Sequence, residues 1–203
     1  MTPKINEGDF YETIHAAIAA DRHVEELKKI LEDYELYKKK FADSFTKNGY
    51  PKALYTFRVT YHYKKNLWRD IAVLGSQNFL DLAEAIIDSM GWDNDHMHGF
   101  ELIDIHPMGR NVPAKKLWSM SYEFFTPDWE DDTFPTYKTD EIHISDLDYA
   151  KYPKLKFSFD YGDDHTFDVE LKHVKEGEKK LKKNFPILID QRGVAPEQYP
   201  EYE

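Results

Sequence analysis

The sequence predicts an α+β fold: a mostly antiparallel or mixed sheet built from hairpins with covering helices, plus an N-terminal helical extension. Apolar residues recur at three- and four-residue steps from Asp9 to about Asn48, the period of a helix with one buried stripe. After Pro51 the texture changes to aromatic and β-branched residues in alternation. The strands so marked come in hairpins rather than alternating singly with helices, which favours antiparallel pairing.

Taking the elements in order, Phe10, Ile14, Ala17 and Ile18, then Val24, Leu27, Leu31, Tyr34, Tyr37 and Phe41, mark two helices or one long broken one. Asp21 is the expected N-cap of the second, and Asn48-Gly49 before Pro51 stops it. Leu54, Thr56 and Arg58 fall on one face of a strand, with Tyr55, Phe57, Val59 and Tyr61 on the other; Lys64-Lys65-Asn66 turns the chain into a second strand, Leu67 to Leu74. Asn78 caps a helix striped by Phe79, Leu82, Ala83, Ile86, Ile87 and Met90 and ended by Gly91. Met97 to Ile103 and Leu117 to Phe125 read as the third and fourth strands. Asp128 to Asp132, between Pro127 and Pro135, has the composition of a mobile loop. Ile142 to Tyr149 is expected to form one helical turn capped by Ser145. Lys154 to Asp160 and His165 to Val174 form a hairpin around Tyr161-Gly162-Asp163-Asp164, with the positive φ assigned to the glycine. Lys175 to Asn184 reads as helical, and the tail, with Gly193, Pro196 and Pro200, as irregular but docked.

Composition narrows function. The 203 residues are 41% hydrophobic and 15% aromatic, enough packing material for a sizeable core. The absence of cysteine removes disulfides, thiolate zinc sites, iron-sulfur clusters and cysteine nucleophiles, leaving His and carboxylates as metal ligands. The polar, acidic start from Met1 to Glu12 and the lack of any run near the roughly 18 apolar residues of a membrane helix predict a cytoplasmic chain with no membrane association. With 38 acidic against 27 basic residues the net charge is -11, which repels phosphate backbones and makes nucleic acid an unexpected partner. The runs Lys38-Lys39-Lys40 and Lys179-Lys180-Leu181-Lys182-Lys183 read as solvated helix faces.

Three stretches together carry a family resemblance. Phe57-Arg58-Val59-Thr60 leads into Leu67-Trp68-Arg69-Asp70-Ile71; Gly91-Trp92-Asp93-Asn94-Asp95-His96-Met97-His98-Gly99-Phe100 follows an amphipathic helix; and Phe159-Asp160-Tyr161-Gly162-Asp163-Asp164 forms a turn. Their counterparts are a strand with a W-R-R-I segment, the signature G-W-x-x-x-H-L-H-x-F, and a Y-D-F-G-D turn. The set resembles the plasmid pRiA4b ORF-3-like family, the passenger proteins of certain insertion elements, over about residues 53 to 200, and Leu188 to Glu197 echoes its C-terminal segment. The resemblance implies a shared fold and a link to mobile elements but no established activity. It departs where relatives carry tryptophan and histidine after the turn and this chain has His165 and Phe167, and where Val194 replaces a usual cysteine. The expected division is a helical extension over 1–49 and a pRiA4b ORF-3-like α+β domain over 50–203.

Two polar knots are candidate chemistry. Asp93, Asp95, His96, His98, Asp104 and His106 lie close together, and His96 and His98 share a face if the strand has already begun there. Two imidazoles and a carboxylate suit zinc, iron or manganese; the competing structural reading, the preferred one, has both histidines capping the helix exit. Asp160, Asp163, Asp164 and His165 place a histidine beside carboxylates, as a general base needs, although Asp is also what turns use locally. Trp68 and Trp92 are expected in the core and Trp129 in contact with a partner. No phosphate-cradling glycine loop, G-x-S-x-G or nucleotide fingerprint occurs. The sequence therefore predicts a non-enzymatic protein-interaction module without a cofactor, with Trp92, Asp95, His96, His98, Asp163, Asp164 and His165 as its candidate surface and the N-terminal helices available for homo-oligomer contacts. The alternative is a metal-dependent hydrolase that uses a divalent ion at His96 and His98.

Overall fold

The computed structural model describes residues 6–103, 123–125, 127, 135–176 and 184–199. Helices α1 (Glu7–Ala19) and α2 (Val24–Ser44) precede strands β1 (Leu54–Tyr61) and β2 (Trp68–Leu74), then helix α3 (Phe79–Met90). Strands β3 (His98–Leu102), β4 (Glu123–Phe125), β5 (Lys154–Phe159), β6 (His165–Lys175) and β7 (Ile187–Arg192) complete one open antiparallel sheet in the order β4-β3-β5-β6-β1-β2-β7. This is the α+β architecture that hairpin spacing predicts.

Register explains where the core sits. Phe124 pairs with Phe100, Phe100 with Phe157, Phe157 with Phe167, and Phe167 with Tyr61, so one row of aromatic rings crosses five strands. Adjacent centroids in that row are 4.7–5.9 Å apart, within the range where aromatic pairs add attraction beyond simple burial. The apolar stripe of α3 covers this face, with Phe79 edge-on to both Phe100 and Phe124. Phe41 of α2 packs against Phe124, and the Tyr37 hydroxyl donates to the Glu123 carbonyl while accepting the Tyr137 N–H. Phe10, Ile14, Tyr34, Tyr37 and Phe41 are buried with the sheet's aromatics, so one copy of the chain covers the helical stripe. The opposite face is polar: Arg58 makes a two-point ion pair with Asp70 and lies 3.9 Å over the Trp68 ring. Trp68 therefore stands half-buried on that face rather than in the core.

Several local expectations are corrected. Asp21 does not cap α2: both Asp21 and His23 take positive φ, 57° and 46°, reversing the chain before Val24, and no side chain caps that end. Ser145 lies inside a short 3-10 turn, Ile144–Asp146, where the Asp146 carboxylate accepts the His143 N–H at 2.8 Å. In the β5–β6 turn the left-handed residues are Asp160 and Asp164, at 53° and 52°, not Gly162. Asp tolerates that conformation because its carboxylate bonds the backbone ahead, here the N–H groups of Gly162 and Asp163. The tail is not wholly irregular, since Ile187–Arg192 pairs with β2. Lys175 closes β6 rather than opening a helix. The expected helix at 177–183, the rest of the fourth strand, the Asp128 to Asp132 loop, Trp118, Trp129, Asp104 and His106 lie outside the described residues.

Candidate functional site

The three motif stretches and the tail meet at one end of the sheet. α3 ends at Gly91, whose φ of 74° turns the chain, and the next residue, Trp92, drops its indole onto the core. The indole lies 4.2 Å from the His165 ring and about 6 Å from Phe159 and Phe167, and its N–H donates to the Pro196 carbonyl at 3.0 Å. His165, also buried, donates from Nε2 to the Gln198 carbonyl at 2.8 Å, which fixes the proton on that nitrogen because a carbonyl can only accept. Its Nδ1 faces the Tyr61 hydroxyl at 3.5 Å.

The Gln198 side chain completes the clasp. Its oxygen accepts the Asp93 N–H at 2.7 Å, and its amide nitrogen donates to the Asp93 carbonyl and to Asp95 Oδ1. The Tyr199 hydroxyl donates to the other Asp95 oxygen. That bond holds the Asp95 carboxyl below its ordinary value and pushes Tyr199 up to about 12. His96 stays exposed, with Nε2 at 3.5 Å from Asp160 Oδ2 and 3.8 Å from Asp95 Oδ1.

The expected pairing of His96 with His98 does not form, because the strand begins only at His98 and residues 92–97 are a loop. His98 is 1% exposed, held by Thr139 Oγ1 at 3.2 Å, and burial lowers its pKa to about 4. Its Nδ1 is buried and has no partner among the described residues. In the sheet register Phe159 stands between His98 and His165, so these two imidazoles are also kept apart. Asp164 turns away from the cluster: it accepts from the Tyr63 hydroxyl and from Thr166 Oγ1. Asp163 contributes its backbone N–H to the Asp160 turn. Among the described residues, no group of three or more histidines and carboxylates is arranged to hold a metal ion. Trp92, Asp95, His96, Asp160 and His165 thus meet; His98, Asp163 and Asp164 do not join them.

Two groups that motif reasoning passed over complete the site. Gln198 gives the tail its grip, and Arg69 of β2 reaches under it. Arg69 is 3% exposed and donates from Nε to the Ser89 carbonyl and from Nη1 to those of Trp68, Arg192 and Gly193. The legible signal was phase: Arg69 alternates with Ile71 and Val73, so a charge occupies a core-facing position of the strand. Above it lies an open groove of about 580 Å³, bordered by Met90, Trp92 and the tail from Gly193 to Tyr199.

The comparisons agree with the sequence motifs. The family model described as plasmid pRiA4b ORF-3-like protein matches residues 53–199, which holds every strand and the whole clasp. A crystal structure of MM3350, a protein of unknown function from Methanosarcina mazei Go1, shares the fold with a TM-score of 0.55 and 22% identity over 71% of each chain. No curated protein matches. A match across most of the chain makes this chain a member of the plasmid pRiA4b ORF-3-like family.

Proposed function

We propose that the protein is a non-enzymatic interaction module, accessory to a mobile element, that binds a segment of a partner protein along β7 and the tail-bordered groove. The observation that carries this reading is an apolar strip that the other described residues leave exposed. β7 is an outer strand, and the pairing with β2 skips Ile189 between Asp70 and Ile71. Such a bulge disfavours a further ladder on that edge and re-aims the extra side chain outward. Ile189 is 52% exposed beside the exposed Leu188, and Val194, 82% exposed, and Tyr199 line the groove. Apolar side chains in a cluster, rather than singly, mark contact surfaces.

The occupant suited to this strip presents apolar side chains flanked by Lys or Arg. Asp190 lies within β7, Glu197 lines the groove, and the chain carries a net charge of -11, so complementary charge steers encounter. The buried polar groups of the site support contact over turnover. Both His165 nitrogens face protein groups, and Gln198 spends its amide on the loop, which leaves neither as a free base.

The test places a photo-crosslinking residue at Ile189 or Val194 and, as control, at the exposed Glu32 of α2. A single protein crosslinked from both strip positions and not from the control, whose purified form binds the wild type and fails to bind Ile189→Asp, supports the reading. Adducts equally frequent at Glu32, or none above background, overturn it.

A further inference from the structure

We propose that the floor of the groove is a carboxylate-binding subsite in which Arg69 Nη2 takes a single carboxylate oxygen, the ligand being the free C-terminus of a peptide. A buried cation is ordinarily paired with an anion, because leaving it unpaired costs several kcal/mol. Among the described residues Arg69 has no carboxylate in ion-pair reach; its acceptors are four carbonyl oxygens. Those are neutral dipoles. Ser89 belongs to the last turn of α3, whose dipole contributes about half a negative charge at that end, so much of the positive charge is left uncompensated.

The bonds also say which edge is free. Nε and Nη1 are occupied, and no bond from Nη2 is formed among the described residues. The only wholly buried side-chain polar atom there without a partner is His98 Nδ1, so Nη2 has access to the groove that Arg69 lines. With Nε and Nη1 occupied, the one free amino group cannot make the fork of two nitrogens that favours a phosphate. Charge points the same way: Glu197 borders the groove and Asp93 and Asp95 stand beside it, a field that penalises a dianion more than a monoanion. Met90 and Trp92 offer an apolar wall to the last residue of the peptide. This subsite stands on Arg69 and the groove alone, and survives if the β7 strip proves to bind nothing.

NMR titration of the full chain decides it, following the Trp92 indole N–H and the Arg69 Nε–H. The probes are an acetylated tripeptide Gly-Ala-Val with a free carboxylate, the same tripeptide amidated, and sodium acetate. The expected result is saturable shifts at both protons with the free carboxylate, at least about tenfold weaker with the amide, as loss of one charged hydrogen bond implies. Acetate shifting the same protons as strongly as the peptide would assign the site to small carboxylic acids rather than chain ends and overturn the peptide assignment. No shift, or equal shifts with peptide acid and amide, overturns the subsite. Arg69→Lys and Glu32→Gln add a second reading: the first should weaken the free-carboxylate peptide about tenfold, and the second, on the exposed face of α2, should leave the Trp92 and Arg69 shifts in place.

Discussion

Lowering the pH from 7 to 5 is expected to weaken the fold through one side chain, His98. Its imidazole is 1% exposed, bound among the described residues by Thr139, and carries a pKa lowered from 6.5 to about 4 by burial. The unfolded chain takes up a proton on this histidine as pH falls through 6.5, whereas the folded chain resists until about 4. Unfolding therefore binds a proton in that window, and stability is intact above it and falls with pH inside it. A gap of this size is worth about 3 kcal/mol in full, of which about 2 kcal/mol is lost between pH 7 and pH 5. Because the ring is sealed from solvent, no screening correction reduces the figure. Urea denaturation at the two pH values, compared with the double variant His98→Leu/Thr139→Val, isolates the contribution, since removing both partners leaves no orphaned hydroxyl. The variant should lose about 2 kcal/mol less than the wild type over this interval. Equal losses in the two proteins would refute the burial of a neutral imidazole at that position.

The clasp and its surroundings give three more outcomes. Gln198→Ala removes three hydrogen bonds to Asp93 and Asp95 and should cost about 2–3 kcal/mol in urea denaturation, with faster exchange of the Trp92 indole proton; unchanged exchange would show that the tail is held otherwise. Tyr199→Phe removes the bond that keeps the Asp95 carboxyl low, so the Asp95 midpoint in an NMR pH titration should rise, and an unmoved midpoint rejects that contact. Gly49→Ala sets a Cβ 1.9 Å from the Ser145 backbone oxygen; the segment after α2 must then move off the 3-10 turn, at about 1–3 kcal/mol by thermal or urea unfolding.

Much of the fold is legible because its signals are local. The period of α3, its Asn78 capping box and the glycine at its end lie within one short window, and β1 and β2 alternate cleanly about a turn. What escapes is set by distance along the chain. β7 reads as tail because only Ile187, Leu188 and Ile189 mark it and both its faces are largely exposed, leaving no alternation to detect. The cap of α2 was misplaced because Asp21 adopts a left-handed conformation for the chain reversal, a use that competes with capping.

The site follows the same division. Trp92, Asp95, His96 and His165 are visible as residues, but their arrangement depends on Gln198 and Tyr199, about a hundred positions beyond the first three. The tempting pair, His96 and His98, shares a face only if the strand has begun by His96, and it begins at His98, one residue after the Met97 that the apolar pattern suggests. One imidazole is then left in solvent while the other is sealed beneath Thr139. Arg69 lies inside the first motif stretch, and its phase among core positions is the sequence's plainest sign of a buried charge.

The sharpest test of the interaction reading is a methyl NMR footprint of the chain with the partner recovered by crosslinking. Shifts or broadening are expected at Leu188, Ile189 and Val194, with Ile14 and Leu27 of the helical layer unmoved. The reverse pattern would contradict it, as would a reaction catalysed by the purified chain and abolished by His96→Ala.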